Sequence, residues 1–136
     1  MMAVPQSGFV IYAREPQRLA DFYAQVAGLA LMDANDDFVV LESTATQVVI
    51  VRMPREIAAS IIVTAPPTLR EETPIKPVLF VPSLAAARAA AAQTSGRVKP
   101  PEAEWTFRGV RGVDGYDPEG NVFRLQSNVN ISGVSS

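Results

Sequence analysis

A chain of 136 residues with 48% hydrophobic and 19% charged side chains has the composition of one folded domain spanning 1–136, since either half alone is too small for a secure core. Twelve Lys and Arg against fourteen Asp and Glu give a net charge of −2 with no basic run, which argues against a nucleic-acid partner. Without cysteine or histidine there is no disulfide, thiolate metal site, thiol nucleophile or Ser-His-Asp triad. Such a chain suits the cytoplasm, and no apolar run is long enough to cross a membrane.

In chain order, residues 9–13 form an apolar and aromatic run expected to be a strand buried on both faces. Glu15 and Pro16 then open a helix, because proline costs nothing in a first turn and an acid there suits the dipole. Leu19, Phe22, Tyr23 and Val26 recur at spacings of three and four, giving that helix one apolar face, and Gly28 closes it. Strands are expected over 29–33, 37–42 and 47–53, separated by turn-rich residues 34–37 and 43–46. Residues 55–62 suit a short helix, and the proline-rich stretch 64–74 marks a connection that could also serve as an edge strand or a lid. The segment from 76 reads as a strand, followed by Ser83 as N-cap of an alanine-rich helix running to about Thr94 and closed by Gly96. Strands follow over 97–99, 110–116 and 122–127, with Asp117 to Asn121 as the turn before the last, and the tail 128–136 is expected to fray.

Residues 8–28 reappear in outline as residues 76–96, a shift of half the chain length, so one β-α-β-β-β unit occurs twice. The first unit covers about 7–54, a linker about 55–74, and the second about 75–127. This arrangement, with the Phe22, Tyr23 and Gly28 of the first unit and the Asp117-Pro118-Glu119-Gly120-Asn121 turn leading into Val122, Phe123, Arg124 and Leu125, resembles the vicinal oxygen chelate superfamily. Glyoxalase I, extradiol dioxygenases and the bleomycin- and fosfomycin-resistance proteins are members. The resemblance implies an α+β fold in which two βαβββ units form a curved, partly open mixed sheet, with helices on the convex side and ligands on the concave side. It also implies a homodimer.

Metal-using members carry two histidines and a glutamate at positions that fall here on Gly8, Lys76 and Arg124, with a fourth ligand near Val49. One of these residues has no side chain and two bring positive charge, so no metal and no other cofactor is expected. Period-two alternation instead sets Val78 and Phe80 beside Lys76, Val122 and Gln126 beside Arg124, and Val10 and Tyr12 beside Gly8. An amine, a guanidinium, a phenol and an amide among apolar walls suit a small carboxylate or phosphate on a hydrophobic body. Trp105 stands where it could stack on a planar ligand or serve a core or dimer interface. The candidate binding residues are therefore Tyr12, Lys76, Phe80, Trp105, Arg124 and Gln126. Against this, Lys76 and Arg124 could simply reach solvent or pair with Glu42, Glu102 or Asp114. Two functions remain open. One is a metal-independent binding protein like the bleomycin-resistance branch. The other is a lyase, isomerase or oxygenase using Lys76 or Tyr12 as acid and base, or holding metal through Glu42 or Asp114.

Overall fold

A computed structural model of the chain describes Pro5 and residues 7–60, 67–70 and 73–128. Residues 61–66 and 71–72 of the connection, and the tail from 129 onward, lie outside the described residues. The described chain runs β1 (Ser7–Ala13), α1 (Pro16–Ala27), β2 (Ala30–Ala34), β3 (Phe38–Glu42), β4 (Thr46–Arg52), α2 (Arg55–Ser60), β5 (Val78–Phe80), α3 (Leu84–Gln93), β6 (Arg97–Val98), β7 (Trp105–Phe107), β8 (Val110–Tyr116) and β9 (Val122–Asn128). This is the expected α+β class, with a βαβββ first unit and a second that adds one short strand, β7, to the same order, and its strands fall into two mixed sheets. The first has the order β1-β4-β3-β2 and the second β5-β9-β8-β6, with β7 paired to β8. In each, the first strand lies parallel to the last strand of its unit and the rest pair antiparallel, so the same pattern is built twice.

Local chemistry sets the element ends. Pro16 sits in the first turn of α1, and Gly28 adopts φ 68° at its C-cap, where a left-handed residue is needed. The Ser83 side chain accepts a hydrogen bond from the Ala86 N–H and starts α3. At its other end the left-handed residue is Ser95, with φ 68°, and not Gly96. Gly96 has a different duty, because a Cβ there would lie 2.7 Å from both Phe22 Cζ and the Tyr116 carbonyl oxygen. Ala87 and Ala91 set the small side chains of α3 toward the core.

One hydrophobic core is shared by the two units: Leu19, Phe22, Tyr23 and Val26 of α1, Val39, Leu41, Val48 and Ile50 of the first sheet, Leu84 of α3, and Val113, Phe123 and Leu125 of the second sheet. Phe22, Tyr23 and Phe123 form a ring trio with centroids 5.1 to 5.8 Å apart. The turn before β9 completes the junction. Asp117 is fully buried and accepts hydrogen bonds from the Tyr23 hydroxyl at 2.7 Å, from Asn121 Nδ2 at 2.8 Å, and from the backbone N–H groups of Glu119 and Asn121. Glu119, also buried, accepts from the backbone N–H groups of Arg14 and Glu15 at 2.9 and 2.8 Å. Gly120, at φ 87°, lets the described part of the connection pass against it, and Arg70 donates its N–H to the Gly120 carbonyl.

The burial expected of the first strand is corrected as well. The run 9–13 does not form a strand buried on both faces: Ala13 is buried and Phe9 and Ile11 pack against the core, but Val10 and Tyr12 point outward, 53% and 63% exposed. A strand at the edge of a four-stranded sheet has only one face covered by α1, so apolar composition alone did not report burial.

Candidate functional site

The open face of the second sheet is organised by register. Residues opposite one another on neighbouring strands share a face, so each cross-strand row is a line of adjacent side chains. The first row is Trp105, Gly112, Gln126 and Phe80. Two residues along, Asp114 lies opposite Arg124, which lies opposite Val78, and the Lys99 N–H donates to the Asp114 carbonyl. A further step brings Arg97, Tyr116 and Val122 into line. The intervening residues, Val113, Gly115, Phe123 and Leu125, are buried beneath the helices.

Trp105 is held from both ends. The preceding residue, Glu104, has a nearly buried carboxylate gripped by Arg88 at 2.5 Å and Arg111 at 3.3 Å on the helix side of the sheet. The following two-residue loop, Arg108 and Gly109, has positive φ at both positions, the geometry that matches strand twist in a tight hairpin. The indole then lies flat against Gly112, where a Cβ would come within 2.5 Å of Trp105 Cζ2. The Arg124 guanidinium stands 4.7 Å from the indole centroid, a cation–π contact. Residues 105–107, for which the sequence predicts no strand, thus form a short strand, and the Arg108-Gly109 pair after it carries the signal of a two-residue loop ending in glycine.

Arg124 and Lys76 meet at Asp114. Lys76 Nζ donates to Asp114 Oδ2 at 2.7 Å and Arg124 Nε to Oδ1 at 3.3 Å. Burial pushes the Asp114 carboxyl upward, but the hydrogen bonds and positive charges of Lys76 and Arg124 outweigh it and hold the group below its ordinary value. Of the pairings open in the sequence, the one with Asp114 is formed. Arg111, grouped with Asp114 and Tyr116 in sequence, faces the opposite side of the sheet, as its contact with Glu104 shows.

The structure brings Lys76, Trp105 and Arg124 together around Asp114 and Gly112, and the register sets Phe80 and Gln126 in the row beside Trp105. It does not place Tyr12 among them. Tyr12 lines a separate groove of about 650 Å³ between β1 and the edge of the second sheet, with Gly8, Val10, Ile75, Val78 and Val122. A smaller cavity of about 350 Å³ opens on the other side of Lys76, lined by Arg97, Lys99, Asp114 and Tyr116, and it shares Thr73 and Val122 with the groove. Arg97 and Lys99 read in sequence only as part of a short strand. Their alternation with buried Val98 was the signal that they face outward.

The residues at the family's metal positions do not fit a divalent cation. Lys76 and Arg124 bring positive charge and are tied to the nearest carboxylate. Gly8 carries no donor, and a Cβ there would lie 2.5 Å from the Gln47 carbonyl oxygen, so the backbone has closed over the place a ligating side chain would leave from. Near the fourth position, Val49 pairs with Val10, and Glu42 hydrogen-bonds Gln47 instead of facing a second acid. Among the described residues no cluster of three or more His, Cys, Asp or Glu side chains could hold a metal ion. The carboxylates Asp36 and Asp37 lie in an exposed turn, while Glu71 and Glu72 lie outside the described residues.

A family model described as a glyoxalase-like domain matches residues 8–126. No curated protein matches the chain. Among solved structures, a glyoxalase/bleomycin resistance protein/dioxygenase family enzyme from Burkholderia phytofirmans PsJN superposes with a TM-score of 0.63 at 18% identity, covering 92% of this chain and 99% of that one. TnmS3, an antibiotic binding protein from Streptomyces sp. CB03234, gives a TM-score of 0.60 at 19% identity over 94% and 99% of the two chains. The fosfomycin resistance protein FosX from Mesorhizobium loti gives 0.58 at 11% identity over 94% and 93%. At these identities the likeness is one of fold, and the family match supplies the rest: the chain belongs to the glyoxalase-like domain family.

Proposed function

We propose that this protein is a metal-independent small-molecule binding protein that takes a partly hydrophobic, anionic ligand on the open face of its second sheet. The observation that carries this reading is Arg124, stacked on Trp105 and sharing Asp114 with Lys76. A guanidinium resting on an indole beside a second cation offers a planar apolar surface and an anion clamp within one ligand's reach. Phe80 and Gln126 extend the Trp105 row with a ring and an amide, and Tyr12 lines the adjoining groove. The solved structure of TnmS3, an antibiotic binding protein of similar fold, is consistent with sequestration without turnover. The exposed Val10, Tyr12, Val78, Phe80, Leu31 and Met32 support a homodimer that covers part of this surface, and the cytoplasm is the compartment we assign. No described contact favours the alternative of an enzyme, since Lys76 is engaged with Asp114 and Tyr12 stands apart from the charged cluster.

The test is a thermal-shift screen against divalent metals, small carboxylates, phosphates and aromatic antibiotics, with metal content measured by mass spectrometry. Stabilisation by an organic anion in metal-free protein is the expected result, because a ligand that binds only the folded state raises its melting temperature. The double variant Lys76→Met, Arg124→Met should keep the fold and lose that stabilisation. Stoichiometric metal in the purified protein, or unchanged anion binding by the double variant, would overturn the proposal.

A further inference from the structure

Beyond the clamp at Arg124, the 350 Å³ cavity on the far side of Lys76 concentrates charge in a protein that is acidic overall. Lys76, Arg97 and Lys99 line it against one carboxylate, Asp114, which Arg124 also shares. Leu69, Thr73, Gly115, Tyr116 and Val122 complete the wall, the Thr73 hydroxyl donating to the Ile75 carbonyl. Among the described residues, the Arg97 and Lys99 side chains form no ion pair, so their charge is not spent on a described acid. We propose that this cavity is a second subsite, for a dianionic oxyanion of the phosphate-monoester class, and that the whole face takes an aryl ligand bearing such a group.

The inference rests on the binding reading above and names its ligand class. Three cations offer more donors than the two oxygens of a single carboxylate can use, but they suit a phosphate monoester, which carries close to two negative charges at neutral pH and three terminal oxygens. Spacing agrees. From the Trp105 row to the Asp114 row is two residues along a strand, about 7 Å at roughly 3.3 Å per residue. That is slightly beyond the outer oxygens of an aryl phosphate measured from its ring, and the long lysine side chains close the difference. A ring lying over Trp105 therefore sets its phosphoryl group toward Lys76 and Lys99, with Arg97 one row further on in the cavity.

The experiment is calorimetric titration of the full chain with benzoate, phenyl phosphate and phenyl sulfate. Phenyl phosphate is expected to bind at least about tenfold more tightly than benzoate, with phenyl sulfate, tetrahedral but singly charged, near benzoate. The double variant Arg97→Gln, Lys99→Gln alters two exposed side chains, so its melting temperature should not change. It should lose the phosphate advantage while its affinity for benzoate stays within about twofold. Equal binding of benzoate and phenyl phosphate, or a phosphate advantage that survives the double variant, would overturn the subsite and leave the clamp standing. Equal binding of phenyl sulfate and phenyl phosphate would overturn the dianion assignment. Failure of all three ligands to bind the unaltered protein would overturn both proposals.

Discussion

Replacing Tyr23 by phenylalanine removes one hydroxyl from the junction of the two units and changes nothing else in shape. The lost contact is a 2.7 Å hydrogen bond to Asp117 Oδ2 with both residues buried. A hydrogen bond to a charged partner contributes about 1.5–3 kcal/mol, and a buried acceptor stripped of every donor would cost more. Asp117 is not stripped, since Asn121 Nδ2 and the N–H groups of Glu119 and Asn121 remain, so we expect about 2 kcal/mol. For a chain of this length, roughly 3–4 °C per kcal/mol makes that a fall of about 7 °C in melting temperature. Urea unfolding should show the loss as a lower midpoint with an unchanged slope, because the aromatic trio stays packed and the surface exposed on unfolding is the same. pH supplies an independent signature. Burial first, then the Asp117 charge and hydrogen bond, push the Tyr23 phenol well above 10.0. The unfolded phenol ionises near 10.0 while the folded one resists, so the native protein loses stability as pH rises beyond that point. The phenylalanine variant lacks that loss, and the gap between the two proteins should narrow in alkali. A neutral-pH difference below about 0.5 kcal/mol, or a gap that stays constant above pH 10, would refute the reasoning.

Two glycines should respond differently to alanine. Gly96→Ala drives a methyl into Phe22 and the Tyr116 carbonyl inside the core and should cost about 1–3 kcal/mol in urea unfolding. Gly112→Ala meets only the movable end of the Trp105 indole, so stability should fall by no more than about 1 kcal/mol while the emission of this sole tryptophan shifts as the ring lifts away from Arg124. Asp114→Asn frees Lys76 and Arg124 from their shared partner and should tighten anion binding several-fold by calorimetry, whereas a weaker complex would show that Asp114 orients the cations instead of competing with the ligand. Because the folded Asp114 carboxyl lies below its ordinary value of 3.8, the stability it contributes is present above that pH and lost as pH falls through the folded value, an acid-side loss that the asparagine variant should lack.

Much of this architecture was legible in the sequence because short-range chemistry dictates it. Pro16 and Gly28 bracket α1, Ser83 starts α3, and the repeat identifies the strands that must be equivalent. Alternation counted outward from Lys76 and Arg124 put Val78, Phe80, Val122 and Gln126 on one face, and the register agrees. What escaped was set by partners distant in the chain. Tyr23 and Asp117 are 94 positions apart, so a helix residue read as core and a residue read as part of a turn gave no hint that they bond. Gly96 looked like a helix terminator, whereas its lack of a side chain serves a ring far away in sequence. Arg97 opens, and Lys99 follows, a strand of only two residues, so alternation about Val98 sets them outward but only the pairing with Tyr116, and the Lys99 bond to Asp114, shows which row each joins.

The clasp formed by Asp117, Glu119, Tyr23 and the backbone of Arg14 and Glu15 ties the start of α1 to the turn before β9. Beyond that turn, cohesion and recognition are assigned to opposite sides of one strand, Phe123 and Leu125 facing one way and Arg124 and Gln126 the other. Such a division makes the open face tolerant of substitution: its residues can be exchanged wholesale while the inward set keeps the halves joined. Glycine, lysine and arginine can therefore occupy the positions that the resemblance equates with metal ligands, and new ligand preferences can arise without a new fold.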